Sequence, residues 1–383
     1  MSSDEARLDG TTLQELLTFA ERRLYSVYLD LTVGSSGQRS HEVFLKKKEN
    51  QFHELIGDDV GARARFERAL ASVRRWISEV FDEANRGAAL FISEDGELVK
   101  ALQVPAAFEN LFVLQEGAVV APLARIVEDH DHHCVVVVDS TRARILSVYL
   151  DAVEREESYG NPEPPRRTSG GGWSQARFQR HRVEQVQQFH SDVVAHLERF
   201  VRRYGSDDII LLGTDEGTAD FHKTLPQALG ERVRFVRPAP ADEPAPALLE
   251  RIRGILEDER VREDEEILSR LQRRVREDYL AVGGIRATLQ ELQSGKVETL
   301  VVGSTVRRDG KQCTRCQFVL ADGEAACPYC GGELAPVNLY DKLVELAERH
   351  DAKVEFLDGD AEVELQRRMN GVGAFLKFQY ENA

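Results

Sequence analysis

The sequence predicts a mixed α/β and α+β protein of three domains, the last carrying a small cysteine-rich insertion. Three observations lead there. Short apolar strand-like runs alternate with amphipathic helical stripes along the whole chain. Proline- and glycine-rich breaks divide that alternation into blocks. Two Cys-x-x-Cys pairs sit close together near the C-terminal end. A length of 383 residues suits two or three domains of ordinary size.

The first block, 1–128, opens with a helix carrying Leu13, Leu16, Leu17 and Ala20, which Thr11 or Thr12 can cap. Ser26 to Leu31 alternates as a strand does. A Gly/Ser loop over 34–40 follows, then helices over roughly 41–57 and 61–84. Phe66, Leu70, Val73, Ile77 and Phe81 recur at helical spacing in the second. Ala88 to Ile92 and Leu98 to Val104 read as strands.

The second block, 129–275, starts with a buried strand, Cys134 to Asp139, and a second strand over 143–150. A break rich in Glu and Pro leads through Gly170, Gly171 and Gly172 into a long helix. Its stripe is Val183, Val186, Phe189, Val193, Val194, Leu197, Val201 and Tyr204, and Gly205 ends it. A strand at 209–212, a helix at about 218–229 and a strand at 233–236 come next. A proline-rich turn over 238–246 precedes a charged helix over about 246–277.

The third block, 276–383, has helix 285–293, strand 298–302, helix 339–349, strand 353–357 and a closing helix and strand. The cysteine-rich segment 311–334 interrupts it.

Hydrophobic residues make up 42% of the chain, enough for ordinary cores. The formal net charge of −16 excludes a protein that coats nucleic acid through bulk electrostatics. No apolar run approaches the roughly 20 residues of a membrane span. The polar start of the chain has no signal-peptide core, so a cytoplasmic protein is expected.

Cys313, Cys316, Cys327 and Cys330 form two Cys-x-x-Cys knuckles. Each pair holds two thiolates on one tight turn, and two such turns close a tetrahedron around Zn²⁺. Gly331 and Gly332 let the second knuckle turn with positive φ. Four thiolates leave no open coordination position, so the expected zinc ribbon is structural. Cys134 stands apart in an apolar run and reads as a small core residue. The run from Glu128 to His133 resembles a metal cluster, but neighbours on an extended chain alternate faces, and a polar hinge is the expected outcome. Asp215, Glu216 and His222 follow a strand and read as an ordinary loop. Gly371 reads as a turn before the last strand.

The segment 166–182 inverts the charge of the chain. It holds Arg166, Arg167, Arg177, Arg180 and Arg182 and no acid. Its glycines allow close backbone approach to a ligand, its arginines suit phosphates, and Trp173 offers a stacking face. Two readings stay open on composition: a loop that reaches into RNA, or a linker before a helix with a wet basic face.

Residues 171–182, G-G-W-S-Q-A-R-F-Q-R-H-R, resemble the catalytic loop and following helix of the archaeo-eukaryotic class I release factors and Pelota. The G-G-W-S-Q variant is most similar to the bacterial branch of that superfamily. The resemblance covers roughly 130–383. It implies a ribosome A-site-binding factor whose loop enters the peptidyl-transferase centre. Gly171, Gly172 and Gln175 would there be catalytic, positioning water on the peptidyl-tRNA ester. Arg166, Arg167, Trp173, Arg177, Arg180 and Arg182 would bind RNA. The third domain would engage a translational GTPase of the tRNA-delivering elongation-factor type. The family's stop-codon motifs, N-I-K-S and Y-x-C-x-x-x-F, do not occur in the sequence. The resemblance therefore implies rescue of stalled ribosomes by peptidyl-tRNA hydrolysis. Trp173 stands where the family has Gln, which points to an alternative: a non-catalytic hibernation factor in the vacant A site.

Overall fold

The computed structural model describes residues 10–33, 39–129, 132–149, 152–162, 174–206, 208–306, 308–321 and 325–378. The chain forms two compact units, Met1–Asp129 with Glu257–Ala383, and His130–Leu256. The 1–128 and 276–383 segments each carry a sheet of their own, and these share the first unit.

In the first unit, α1 (Gly10–Leu17) leads to β1 (Arg23–Asp30), α2 (His41–Ile56) and α3 (Val60–Glu79). Asp59 caps α3 by accepting from the Ala62 N–H at 2.9 Å. The helix stops before the expected residue 84. Asp82 accepts from the Ala84 N–H and donates its own N–H to the Gln103 side chain, an alternative to helix that polar side chains offer. Strands β2 (Gly87–Ser93), β3 (Leu98–Val104) and β4 (Leu111–Glu116) complete an antiparallel sheet ordered β3-β2-β1-β4. Helices α2 and α3 cover one face, with Tyr25, Phe52, Phe66 and Phe112 in mutual ring contact. On the buried Tyr28, burial pushes the hydroxyl pKa well up, and the O–H donates to the Val119 carbonyl at 2.5 Å. That bond anchors the chain entering α4 (Ala121–Asp129). Neither β4 nor α4 was expected from periodicity.

The second unit holds β5 (His133–Val138), β6 (Arg142–Tyr149), β7 (Ala152–Gly160), α5 (Ser174–Tyr204), β8 (Asp208–Gly213), α6 (Asp215–Thr224), α7 (Gln227–Gly230), β9 (Val233–Pro238) and the first part of α8 (Ala245–Arg276). The sheet runs β7-β6-β5-β8-β9, parallel at β5/β8 and β8/β9 and antiparallel elsewhere. Both its faces are covered. Cys134, Val136 and Val138 meet Phe189, Val193 and Leu197 of α5, while Val135 and Val137 share a core with Leu248 and Ile252 of α8. Coverage on both sides explains why β5 is a continuous apolar run. The acidic stretch over 152–160, read as a break, is instead the edge strand β7, paired to β6 with Arg144 Nε 2.7 Å from Glu156. Charge on an edge discourages further pairing. Asp215 and Glu216, read as loop, form the first turn of α6, which Thr214 caps.

In the later part of the first unit, β10 (Ala281–Gly283), α9 (Ile285–Gln293), β11 (Val297–Gly303), β12 (Asp309–Cys313), β13 (Val319–Leu320), β14 (Leu334–Asn338), α10 (Leu339–Arg349), β15 (Lys353–Leu357), α11 (Gly359–Met369) and β16 (Val372–Leu376) follow in order. One sheet is ordered β10-β16-β11-β15, and β13-β12-β14 form a small separate ribbon. Leu268 and Leu271 of α8 join Val301, Leu365 and Phe375 in its core.

Asp358 gathers four elements of the first unit. Its carboxylate accepts from Arg125 of α4 at 3.1 Å to each oxygen, from Arg260 of α8 at 2.5 Å, and from the Ser304 hydroxyl after β11. Its own N–H donates to Asp264 at 3.1 Å. Burial raises the Asp358 pKa, but Ser304, Arg125 and Arg260 outweigh it and hold the carboxyl below its usual range. A folded-state pKa below the unfolded one stabilises above the unfolded value and is lost as pH falls through the folded one. Asp358→Asn is therefore expected to lower stability by about 1.5–3 kcal/mol at neutral pH. Urea unfolding followed by circular dichroism should show that gap closing as pH drops below about 4.

Candidate functional site

The four cysteines of the ribbon converge. Their sulfurs all lie within 4.8 Å of one another. Cys313 Sγ is 3.4 Å from Cys330 Sγ, and Cys316 Sγ is 3.5 Å from Cys327 Sγ. A tetrahedral ion with metal–sulfur bonds of about 2.3 Å sets its sulfurs about 3.8 Å apart, so the set fits one metal. The first knuckle closes through the Gln317 N–H donating to the Cys313 carbonyl, with Gln317 in the left-handed region at φ 61°. The N–H groups of Arg315 and Cys316 point at Cys313 Sγ from 3.4 and 3.5 Å. Those donors, Cys316 first, bring the Cys313 thiol down to about 6.

The two glycines of the second knuckle act differently. Gly331 takes φ 67°, as the sequence predicted. Gly332 has no positive φ; a Cβ there would lie 2.9 Å from Cys313 Sγ and 3.2 Å from Cys330 Sγ. It is glycine because the sulfurs occupy the space of a side chain.

The ribbon is tied to α9 through Gln293. The Gln293 side-chain amide donates to the Val319 carbonyl at 3.2 Å and accepts from the Val319 N–H at 2.7 Å. It pairs with β13 as a neighbouring strand would. Spacing gave no sign of this contact, because Gln293 lies outside the cysteine segment.

Among the described residues, the four cysteines are the only group able to gather on a metal. His132 is instead held within the second unit, its ring nitrogens 2.8 Å from Ser147 Oγ, 2.9 Å from Ser206 Oγ and 3.0 Å from Glu154. Cys134 is buried in the β5 core, and burial pushes its thiol up to about 12, an inert state.

Of the expected loop residues, Arg166, Arg167, Gly171, Gly172 and Trp173 lie outside the described residues. Gln175, Arg177 and Arg182 fall on α5, with side chains likewise outside, and Arg180 is exposed there. The stripe of α5 does not pack over its whole length. Val183 is 54% exposed, and among the described side chains burial begins at Phe189. Several leading turns of α5 therefore carry no described core residue. No described helix is long and apolar enough to cross a membrane.

Comparison with known proteins divides the chain in two. Residues 119–257 match the family model for bacterial archaeo-eukaryotic release factor family 10. Residues 261–380 match eRF1 domain 3. The chain is 24% identical over 299 residues to peptide chain release factor subunit 1 of Pyrococcus abyssi, covering 70% of this chain and 72% of that one. It is 24% identical over 282 residues to the same subunit of Archaeoglobus fulgidus, covering 67% and 68%. Among solved structures, the model of ribosome-bound archaeal Pelota and ABCE1 is similar at 15% identity and TM-score 0.42, covering 97% of this chain and 95% of that one.

Elemental analysis of the purified protein is expected to find about one metal ion per chain, and Cys327→Ser to abolish it. Chelation should open 309–338 to protease and leave most of the circular dichroism unchanged, because the ribbon is a sheet of its own.

Proposed function

Because the chain belongs to the bacterial branch of the archaeo-eukaryotic release-factor superfamily, we propose that it is a ribosome-binding translation factor. It enters a vacant A site and carries the Gly-Gly-Trp segment towards the peptidyl-transferase centre on α5. The observation that carries this reading is that the basic segment leads directly into α5, where Arg180 and Val183 are exposed and burial among the described side chains first appears at Phe189. A helix committed wholly to a core would bury that stripe from its start. An exposed Arg180 and Val183 suit a helix that delivers a basic loop to RNA, with Arg166, Arg167, Arg177, Arg180 and Arg182 on phosphates and Trp173 on a base.

In this reading 1–128 faces the decoding site, 129–275 carries the loop, and 276–383 meets the ribosome or a GTPase of the tRNA-delivering elongation-factor type. The protein acts in the cytoplasm. The metal of the ribbon is zinc, held by Cys313, Cys316, Cys327 and Cys330 with no open position for substrate, so it braces a surface and performs no chemistry.

Two uses of the A site differ in what Gln175 does. Rescue by peptidyl-tRNA hydrolysis needs Gly171 and Gly172 for close backbone approach and Gln175 to position water. Hibernation needs occupancy alone. Two features favour the second. The indole at Trp173 offers one N–H donor and no acceptor, where an amide offers both. Gln175 is already the second residue of α5, so its backbone follows the helix and not the glycine loop.

The deciding assay is peptide release from 70S ribosomes carrying peptidyl-tRNA beside an empty A site. We expect co-sedimentation at physiological salt without release. Release that disappears in Gln175→Ala would establish rescue in its place. Absence of co-sedimentation would overturn the ribosomal reading altogether.

A further inference from the structure

A groove of about 250 Å³ runs between α9 and the ribbon, within the first unit. Arg286, Gln290, Gln293, Phe318, Pro328 and Tyr329 line it. Arg286, Gln290 and Gln293 recur at helical spacing and so share one face of α9. Opposite stands an aromatic pair. The rings of Phe318 and Tyr329 lie 4.2 Å apart at 50°, and Tyr329 is 70% exposed. A large ring so open at the tip of a metal knuckle adds nothing to a core.

We propose that this groove is a nucleobase-binding site, which takes one unpaired RNA base against Tyr329 and Phe318. The inference rests on the ribosomal reading for the identity of the RNA. Three features of the groove select that occupant.

The first is charge. Among the described residues the lining holds a guanidinium and no carboxylate, in a chain with 66 acidic residues. Arg315 is exposed on the adjoining knuckle. An anionic backbone is therefore accepted beside the groove. The second is the kind of group on offer. Aromatic faces stack on any base, and the exposed Gln290 amide presents a donor and an acceptor of the sort that base edges pair with. The third is what the groove refuses. A peptide adding as a strand needs the free edge of β13, but Gln293 already occupies both the N–H and the carbonyl of Val319. At about 250 Å³ the space suits one heterocycle better than a drug-sized ligand or a helix.

The test uses the full metal-loaded chain. It is irradiated at 254 nm on 70S ribosomes, and nucleotide adducts are mapped by mass spectrometry. In parallel, ribosome affinity is measured for Tyr329→Ala and Tyr329→Phe, with metal content confirming that both ribbons are intact. The expected result is an adduct on the peptide holding Phe318 or Tyr329. Affinity should fall about 5- to 100-fold in Tyr329→Ala and be kept in Tyr329→Phe. An unchanged affinity in Tyr329→Ala with no adduct overturns the site. Weakened binding with crosslinks to protein and none to RNA also overturns it, in favour of a protein partner. A wild-type chain that does not bind ribosomes at all sinks the ribosomal reading instead. The groove is then decided on oligoadenylate against an abasic oligonucleotide: a Tyr329-peptide adduct with the first alone supports it, and none overturns it.

Discussion

The first unit depends on a single carboxylate. Asp358 sits where β15 ends and α11 begins, and it takes two arginines from distant parts of the chain, Arg125 on α4 and Arg260 on α8. Ser304, at the end of β11, donates to it as well. A charge half-removed from water is tolerable only when paired and hydrogen-bonded, and here the partners fill both oxygens. The Arg125 bond joins residues 233 positions apart and helps tie the early part of the chain to the late sheet within one unit. The parallel β11/β15 pair is held at the same point, since Ser304 and Asp358 directly follow those strands.

The ribbon hangs from that framework between β11 and α10. Its own apolar content is slight, and besides its strand ladder it is held by sulfur geometry, by Leu339 of α10 against Gly310, and by the Gln293 amide. Thiolate repulsion among four cysteines is costly without a cation, and the N–H donors on Cys313 alone do not cancel it. A metal bound by the four sulfurs would act as the core that this sheet lacks. Gln293 then sets the ribbon against α9, and the groove with its exposed rings exists because of that contact.

The second unit solves a different problem. Its sheet is covered on both faces, so the central strands β5 and β8 are near-continuous apolar runs, while the edge strand β7 is acidic. Along α5 the described side chains pack from Phe189 to Tyr204, while those of Arg180 and Val183 ahead of them are exposed. In a chain of net charge −16, the segment 166–182 carries five arginines and no acid.

Much of this was legible in the residues. Cysteine spacing picked out four sulfurs that converge as one metal would need, because two Cys-x-x-Cys turns leave few other geometries. Helical stripes placed α3, α5, α9 and α10, because burial on one face repeats every 3.6 residues. The G-G-W-S-Q run pointed to the superfamily that the comparisons bear out. What escaped was whatever depends on partners far off in sequence. The acidic β7 became a strand only because Arg144 and the β6 edge were there to receive it. Periodicity missed β4 and α4, which take their place from Tyr28 and Ser26 of β1. Gln293 and Asp358 look like ordinary polar residues in the sequence, and only tertiary contact makes one a surrogate strand and the other a hub. Local pattern encodes which face of an element is apolar. Which distant donor meets which acceptor is decided only when the chain has closed on itself.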